Sequence, residues 1–237
     1  MKTTKEAIEN IADEMQNASA KDILQWGIDV LGISHFALAS SMGAEDQVLT
    51  YIFTQLNAKA RIFSLDTGRL HQETYSVMSK SMQKYGFCYE VLFPNRVAIE
   101  ETVSKYGPNF FYESIENRHL CCNIRKVEPL KRKLSELDGW VTGLRRQQAV
   151  TRTHLPKIEW DDANNMVKLN PLADWSEEQV WQFIQEHQIP YNVLHDKGFA
   201  SIGCAPCTRA IAKGEDIRAG RWWWENPEQK ECGLHVK

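Results

Sequence analysis

Apolar runs alternate with amphipathic stretches through the first half of the chain. Residues 36–42 (FALASSM) read as a buried strand and residues 45–56 as a helix. The alternation continues with a strand at 61–67, a helix at 70–85, a strand at 88–93 and a helix from about Val97 to Lys105. A helix over 122–136 and a strand at 139–144 (GWVTGL) close the series. Strands separated by helices of this length predict an α/β fold with a parallel, twisted sheet and helices on both faces. Such sheets bind ligands beyond the carboxyl ends of their strands, so function is expected in the loops after Ser40, Leu65 and Val141.

The second half is less regular. One good helix start stands at residues 174–178, where Asp174 or Ser176 can cap and Glu177 and Glu178 occupy the first turn. The chain then runs through Gly-Cys-Ala-Pro-Cys to a tryptophan triplet and the terminal sequence Glu-Cys-Gly-Leu-His-Val-Lys. We read residues 1–210 as one α/β domain and 211–237 as a tail too short to fold alone.

The 237 residues, 43% of them hydrophobic, suffice for one substantial core. A net charge of −3 gives no sign of a nucleic-acid platform. No stretch approaches the roughly 20 apolar residues of a membrane span. The polar N-terminus resembles neither a signal nor a transit peptide, so a cytoplasmic location is expected. In a reducing compartment the six cysteines point to metal binding or catalysis rather than disulfides.

Two cysteines are adjacent (Cys121, Cys122) and two form a C-x-x-C pair (Cys204, Cys207). Four thiolates suit zinc or an iron–sulfur cluster, and free redox thiols are a third reading. Neighbouring helical residues point about 100° apart, which suits four separate cluster corners better than one zinc ion. Cys88 opens a predicted strand and reads as a small buried hydrophobe. Cys232 is flanked by Glu231 and Gly233, with His235 and Lys237 nearby, and cations near a thiolate make it more reactive.

Ser40, Ser41 and Gly43 lie at a strand-to-helix turn, where hydroxyls and free helix N–H groups can hold a phosphate. An ordinary capped turn reads equally well from the pattern alone. Lys126, Arg145, Arg146, Arg152, Arg218 and Arg221 are candidate partners for an anion. Trp222, Trp223 and Trp224 are expected to anchor the tail by packing rather than to stack on a base.

The turn at 40–46 resembles the phosphate loop of the PP-loop, adenine-nucleotide hydrolase-like superfamily. Leu65-Asp66-Thr67-Gly68 resembles the L-D-T-G motif of its sulfonucleotide reductases. The segments C-C-N-I-R-K-V-E-P-L (121–130), G-L-R-R-Q-Q (143–148), G-C-A-P-C-T (203–208) and E-C-G-L-H (231–235) resemble the assimilatory adenylylsulfate reductases within that family. Together these motifs run from residue 40 to 235.

This resemblance implies a [4Fe–4S] cluster on Cys121, Cys122, Cys204 and Cys207, and Cys232 as catalytic nucleophile. It implies substrate binding by Ser40, Ser41, Gly43, Asp66, Gly68, Lys126, Gly143, Arg145, Arg152, Arg218 and Arg221. The implied reaction converts adenosine 5'-phosphosulfate (APS) to sulfite and AMP, with thioredoxin or glutaredoxin as reductant. The 3'-phosphorylated nucleotide PAPS, alone or beside APS, is the alternative substrate. A PP-loop enzyme that thiolates RNA is a more distant reading, and its S-G-G-x-D-S loop is not what stands here. A cluster- or zinc-based sensor would leave the E-C-G-L-H tail unexplained. Homo-oligomerisation is open.

Overall fold

The computed structural model describes residues 4–148, 153–212 and 214–225. Two compact units share the chain. The first comprises the described parts of Met1–Ser64, Ser76–Glu90 and Leu134–Asn192, and the second those of Leu65–Tyr75, Val91–Lys133 and Val193–Lys237.

Most of one six-stranded sheet belongs to the first unit. Strands β1 (Phe36–Ala39), β2 (Ile62–Leu65), β3 (Glu90–Leu92), β4 (Gly139–Val141), β5 (Ile158–Asp161) and β6 (Met166–Leu169) lie in the order β3-β2-β1-β4-β6-β5. β1 runs parallel to β2 and β4, with Leu38 opposite Ile62 and Val141, and β4 runs parallel to β6. Parallel neighbours need long crossovers, which the intervening helices supply. They include α3 (Ala44–Leu56), α4 (Gln72–Tyr85) and α5 (Arg96–Tyr106), after α1 (Lys5–Glu14) and α2 (Ala20–Leu31) at the start of the chain.

The predicted sheet is therefore present, with one departure. β5 and β6 form an antiparallel hairpin, Ile158 opposite Leu169, so the sheet is mixed at that edge. An antiparallel strand on a mostly parallel sheet is common. These two four-residue strands are too short for their periodicity to stand out in the sequence.

The core of the first unit gathers Ile23, Leu24, Phe36, Leu38, Val48, Phe53, Ile62 and Val141, all essentially without exposed surface. Helix ends follow sequence chemistry. Ser19 with Asp22 caps α2, and Ser176 with Gln179 caps α8 (Glu177–Glu186), each as a reciprocal capping box. Ser176, not Asp174, is thus the cap.

In the second unit α6 (Ile115–Cys122), capped by Ser114, runs into a single π turn over Asn123–Val127 and then into α7 (Glu128–Leu134). The sequence shows one helix here; the structure starts it earlier and interrupts it. Cys88 is exposed, contrary to expectation. Strand β3 begins only at Glu90, and the buried neighbour is Tyr89, which turns Cys88 outward.

Candidate functional site

Each unit brings candidate residues together. In the first, the loop after β1 carries Ser40, Ser41, Met42 and Gly43. Met42 is buried and held at φ 64°, a left-handed conformation rare for a residue with a side chain. A buried polar network holds it. Gln47 Nε2 lies 3.5 Å from Met42 Sδ and donates to the Tyr89 hydroxyl, while Ser81 Oγ donates to Gln47 Oε1 at 2.6 Å. Gly43 is the N-cap of α3, and no side chain caps the first-turn N–H groups.

Asp46 changes the picture of this loop. Its carboxylate accepts from both the backbone N–H and the hydroxyl of Ser41, each at 2.7 Å. The Ser41 hydroxyl, expected to face a phosphate, is thus given to Asp46. Burial pushes the Asp46 carboxyl up to about 6, against the hydrogen bonds from Ser41 and Gly43. Gly143 fits because a Cβ there would run into Asp46 Oδ1. Arg145 is buried, and its guanidinium donates to Glu45 at 2.7 Å and to the Trp175 carbonyl. Arg146 donates to the Leu155 carbonyl at 2.8 Å. Arg152 and Cys232 lie outside the described residues.

The second unit assembles the cysteines. α6 presents Arg118, Cys121 and Cys122 at helical spacing of three and four residues, hence on one face. The Cys204–Cys207 turn faces them, so all four thiols line one cavity of about 370 Å³ including its mouth. Arg118, Arg125 and Lys126 line it too. Among the described residues no group of three or more His, Cys, Asp or Glu side chains is arranged to hold a metal ion.

The L-D-T-G loop forms part of this wall. Arg125 Nη1 donates to the Thr67 carbonyl at 2.6 Å, and Ala205 N–H donates to the Arg69 carbonyl at 2.8 Å. The Thr67 hydroxyl lies against the Cys204 sulfur. Asp66 is buried and accepts from Gly68 N–H at 2.8 Å and from the Tyr75 hydroxyl at 2.9 Å. It shapes the turn, and Gly68 supplies the left-handed residue that the turn requires, at φ 70°.

The four thiols are not equivalent. Burial pushes Cys207 up to about 12, with Cys204 adding to it, and burial also raises Cys121 against the pull of Arg125. Burial acts on Cys204 in the same sense, but Lys126, the Thr67 hydroxyl, Arg221 and Arg125 together outweigh it and hold that thiol below its ordinary value.

Tryptophans anchor the chain here, as the sequence suggests. Trp222 is buried under two guanidinium groups, those of Arg118 at 4.9 Å and Arg221 at 4.7 Å. Trp224 packs edge-on against Tyr112. Arg221 is itself buried beside Gly203, where a Cβ would run into its guanidinium, and Arg218 is half-buried. Sequence reading missed Arg118 and Asp46. The spacing of Arg118 from the cysteines could have revealed it; only the folded loop reveals Asp46.

Residues 35–210 match the family model described as the phosphoadenosine phosphosulfate reductase domain. The chain belongs to that family. It is 56% identical over 203 residues to an adenosine 5'-phosphosulfate reductase of Allochromatium vinosum, covering 86% of this chain and 79% of the relative. A protein of the same name from Agrobacterium fabrum is 41% identical over 235 residues, or 96% and 90% of the two chains. Among solved structures, the PAPS reductase of Candida auris in a phosphate complex superposes with a TM-score of 0.76 at 25% identity. It covers 89% of this chain and 99% of its own. The fold is thus that of the family, an α/β sheet of mostly parallel strands.

Proposed function

We propose that this chain reduces APS to sulfite and AMP in the assimilation of sulfate toward cysteine. As a member of its family it is an oxidoreductase that acts on a sulfonucleotide. The observation that carries the choice of APS is the 56% identity to a reductase of that nucleotide over most of the chain. PAPS is the second reading, favoured by the Candida auris neighbour.

In this reading the thiolate of Cys232 attacks the sulfonyl sulfur of APS. An S–S bond forms, the S–O bond to the phosphate breaks, and AMP leaves with the bonding pair. A dithiol protein of the thioredoxin or glutaredoxin type then attacks Cys232 Sγ and expels sulfite. Its second thiol closes a disulfide and returns the Cys232 thiol, so the dithiol supplies both electrons. Ser40, Ser41, Gly43, Gly143, Arg145 and Arg152, with Asp66, Gly68, Lys126, Arg218 and Arg221, are the residues we assign to nucleotide binding. In the first unit the N-terminus of α3, which no side chain caps, supports that assignment.

Cys121, Cys122, Cys204 and Cys207 would hold a [4Fe–4S] cluster. The fit rests on the donor set, since four thiols line one cavity and Arg69, Arg125 and Lys126, which line it with them, offset the negative charge that four thiolates bring. Such a cluster, when bound, would supply a fixed charge centre beside Lys126. We place the enzyme in the cytosol, where thiols stay reduced; no helix among the described residues is long and apolar enough to cross a membrane.

The test is sulfite release from APS and from PAPS, side by side, by protein purified without air and supplied with reduced thioredoxin. Faster turnover of APS supports the proposal, and turnover of PAPS alone overturns it.

A further inference from the structure

The left-handed residue of the loop after β1 is Met42, not the glycine beside it. Met42 has φ 64°, whereas Gly43 has φ −69°, a value open to any residue. A positive φ comes readily to glycine and is tolerated by asparagine, whose short polar side chain bonds locally; methionine has neither advantage. Such a residue persists only where its surroundings over-determine it. Met42 is 1% exposed, so its buried side chain is the handle on which those surroundings act.

The sulfur is where they take hold. Two donors converge on it, Gln47 Nε2 at 3.5 Å and Ser40 Oγ at 3.8 Å. The Ser40 oxygen in turn accepts from the Met42 N–H at 3.3 Å. A thioether accepts only weakly, so the hold depends on how firmly its donors are fixed. Gln47 is fixed at both ends of its amide. Ser81 Oγ, on α4, donates to Oε1 at 2.6 Å, which leaves Nε2 to face the sulfur and the Tyr89 hydroxyl at 3.4 Å. Gln47 and Ser81 have no exposed surface, and Tyr89 is buried. A buried amide is costly unless it is hydrogen-bonded, and an apolar side chain on this face of α3 would fill the core without that cost. The amide is better explained by what it aims at. All five residues belong to the first unit.

We infer that Gln47 is a positioning residue for the nucleotide: its amide, aimed by Ser81 and Tyr89, clamps the Met42 sulfur and so holds the loop of Ser40, Ser41 and Gly43 in the backbone shape that receives substrate. This role rests on the reading of that loop as nucleotide-binding. Turning φ of Met42 back to a negative value re-aims the peptide groups on either side of it, which carry the N–H of Met42 and of Gly43. A chain without the clamp spends most of its time in that relaxed shape, and affinity falls by the fraction that stays competent. Bound nucleotide then holds the loop itself, so the loss falls on KM and spares kcat.

The experiment compares wild-type protein with Gln47→Met, which keeps the length of the side chain and removes the amide. The variant is expected to bind APS about fivefold to a hundredfold more weakly by calorimetric titration, the range that left-handed strain corresponds to, and to raise KM in parallel with kcat unchanged. Adding Met42→Gly to that variant is expected to bring affinity back to within about threefold of wild type, because glycine takes a positive φ without a clamp. Damage to core packing would be deepened by this second truncation, not relieved. Ser81→Ala, which frees the amide to turn, stands in if Gln47→Met does not fold and is expected to shift affinity in the same direction. Wild-type affinity in the folded variant, or a loss that the glycine does not relieve, overturns the inference. Hydrogen exchange of residues 36–47 in the wild-type protein, with and without APS, locates the loop independently. Exchange slowed by APS together with wild-type affinity in Gln47→Met overturns the clamp and leaves the loop at the nucleotide. Exchange that APS does not alter removes the loop from the nucleotide site, and the role of Gln47 with it.

Discussion

The Thr67 hydroxyl lies 3.2 Å from the Cys204 sulfur, so a loop that reads in sequence as nucleotide-binding also touches one of the cysteines proposed to hold the cluster. When that sulfur is a thiolate, the hydroxyl must donate. Hydrogen bonds to cluster sulfurs are among the factors that set reduction potential, by stabilising the more negative state. Thr67→Val is therefore expected to keep iron content and lower the midpoint potential, measured by redox titration of the chromophore. An unchanged potential would show that the contact carries no electronic weight.

Replacing Cys121, Cys122, Cys204 or Cys207 singly by Ser is expected to lower iron content and sulfite formation together, because all four line the same cavity. Metal analysis of protein made without air checks this; stoichiometric zinc without iron would falsify the cluster.

Cys232→Ser is expected to behave differently. It should keep the brown chromophore and nucleotide affinity and lose sulfite formation, because a hydroxyl supplies essentially no attacking anion at neutral pH. Sulfite release at the wild-type rate would remove Cys232 from the mechanism.

Gly203→Ala tests the placement of Arg221 without deleting its charge. The new Cβ overlaps the guanidinium of Arg221, the mobile end of a long side chain, so the arginine moves. Affinity for APS is expected to fall by roughly 1.5–3 kcal/mol, the value of one hydrogen bond to a charged group, as for Arg221→Ala. Calorimetric titration reads both variants. Unchanged affinity in both would leave Arg221 as a packing residue over Trp222.

Asp46 gives a dependence on pH. Its carboxyl is raised from 3.8 to about 6 in the folded chain, so the native state holds a proton that the unfolded state has released. The stability from that proton is complete below about pH 3.8 and is lost as pH rises through about 6, in all of the order of 3 kcal/mol. Asp46→Asn should remove this part of the slope. Urea unfolding of both proteins between pH 4 and 7 compares them directly; parallel curves would mean that Asp46 is ionised throughout.

What sequence reveals here follows the length scale of each interaction. Strands β1 and β2 and helix α3 are legible because each is a run of apolar residues with one period. The hairpin of β5 and β6 is not, because Ile158–Asp161 gains its identity from pairing with Met166–Leu169. The cysteine pairs are legible through their spacing and chemistry. The use of Ser41 by Asp46 and the tie between Arg118 and Glu225 depend on which side chains fold onto each other, over separations of five and 107 residues. Local pattern carries no record of the second, and the first looks like an ordinary acidic helix start.

The π turn at Asn123–Val127 is one residue wider than an α-helical turn would be. It absorbs one extra residue within a single turn, so the helix after it keeps the register of the helix before it. Deleting Asn123 would close the turn to α pitch with α7 still in line with α6, and the change would fall on the residues of the turn itself. Arg125, whose guanidinium reaches the Thr67 carbonyl, and Lys126, which lines the cavity of the thiols, both stand in that turn. A chain shortened there by one residue would keep its four cysteines, two on the same helix face and two in the Cys204–Cys207 turn, while re-aiming the cations between them.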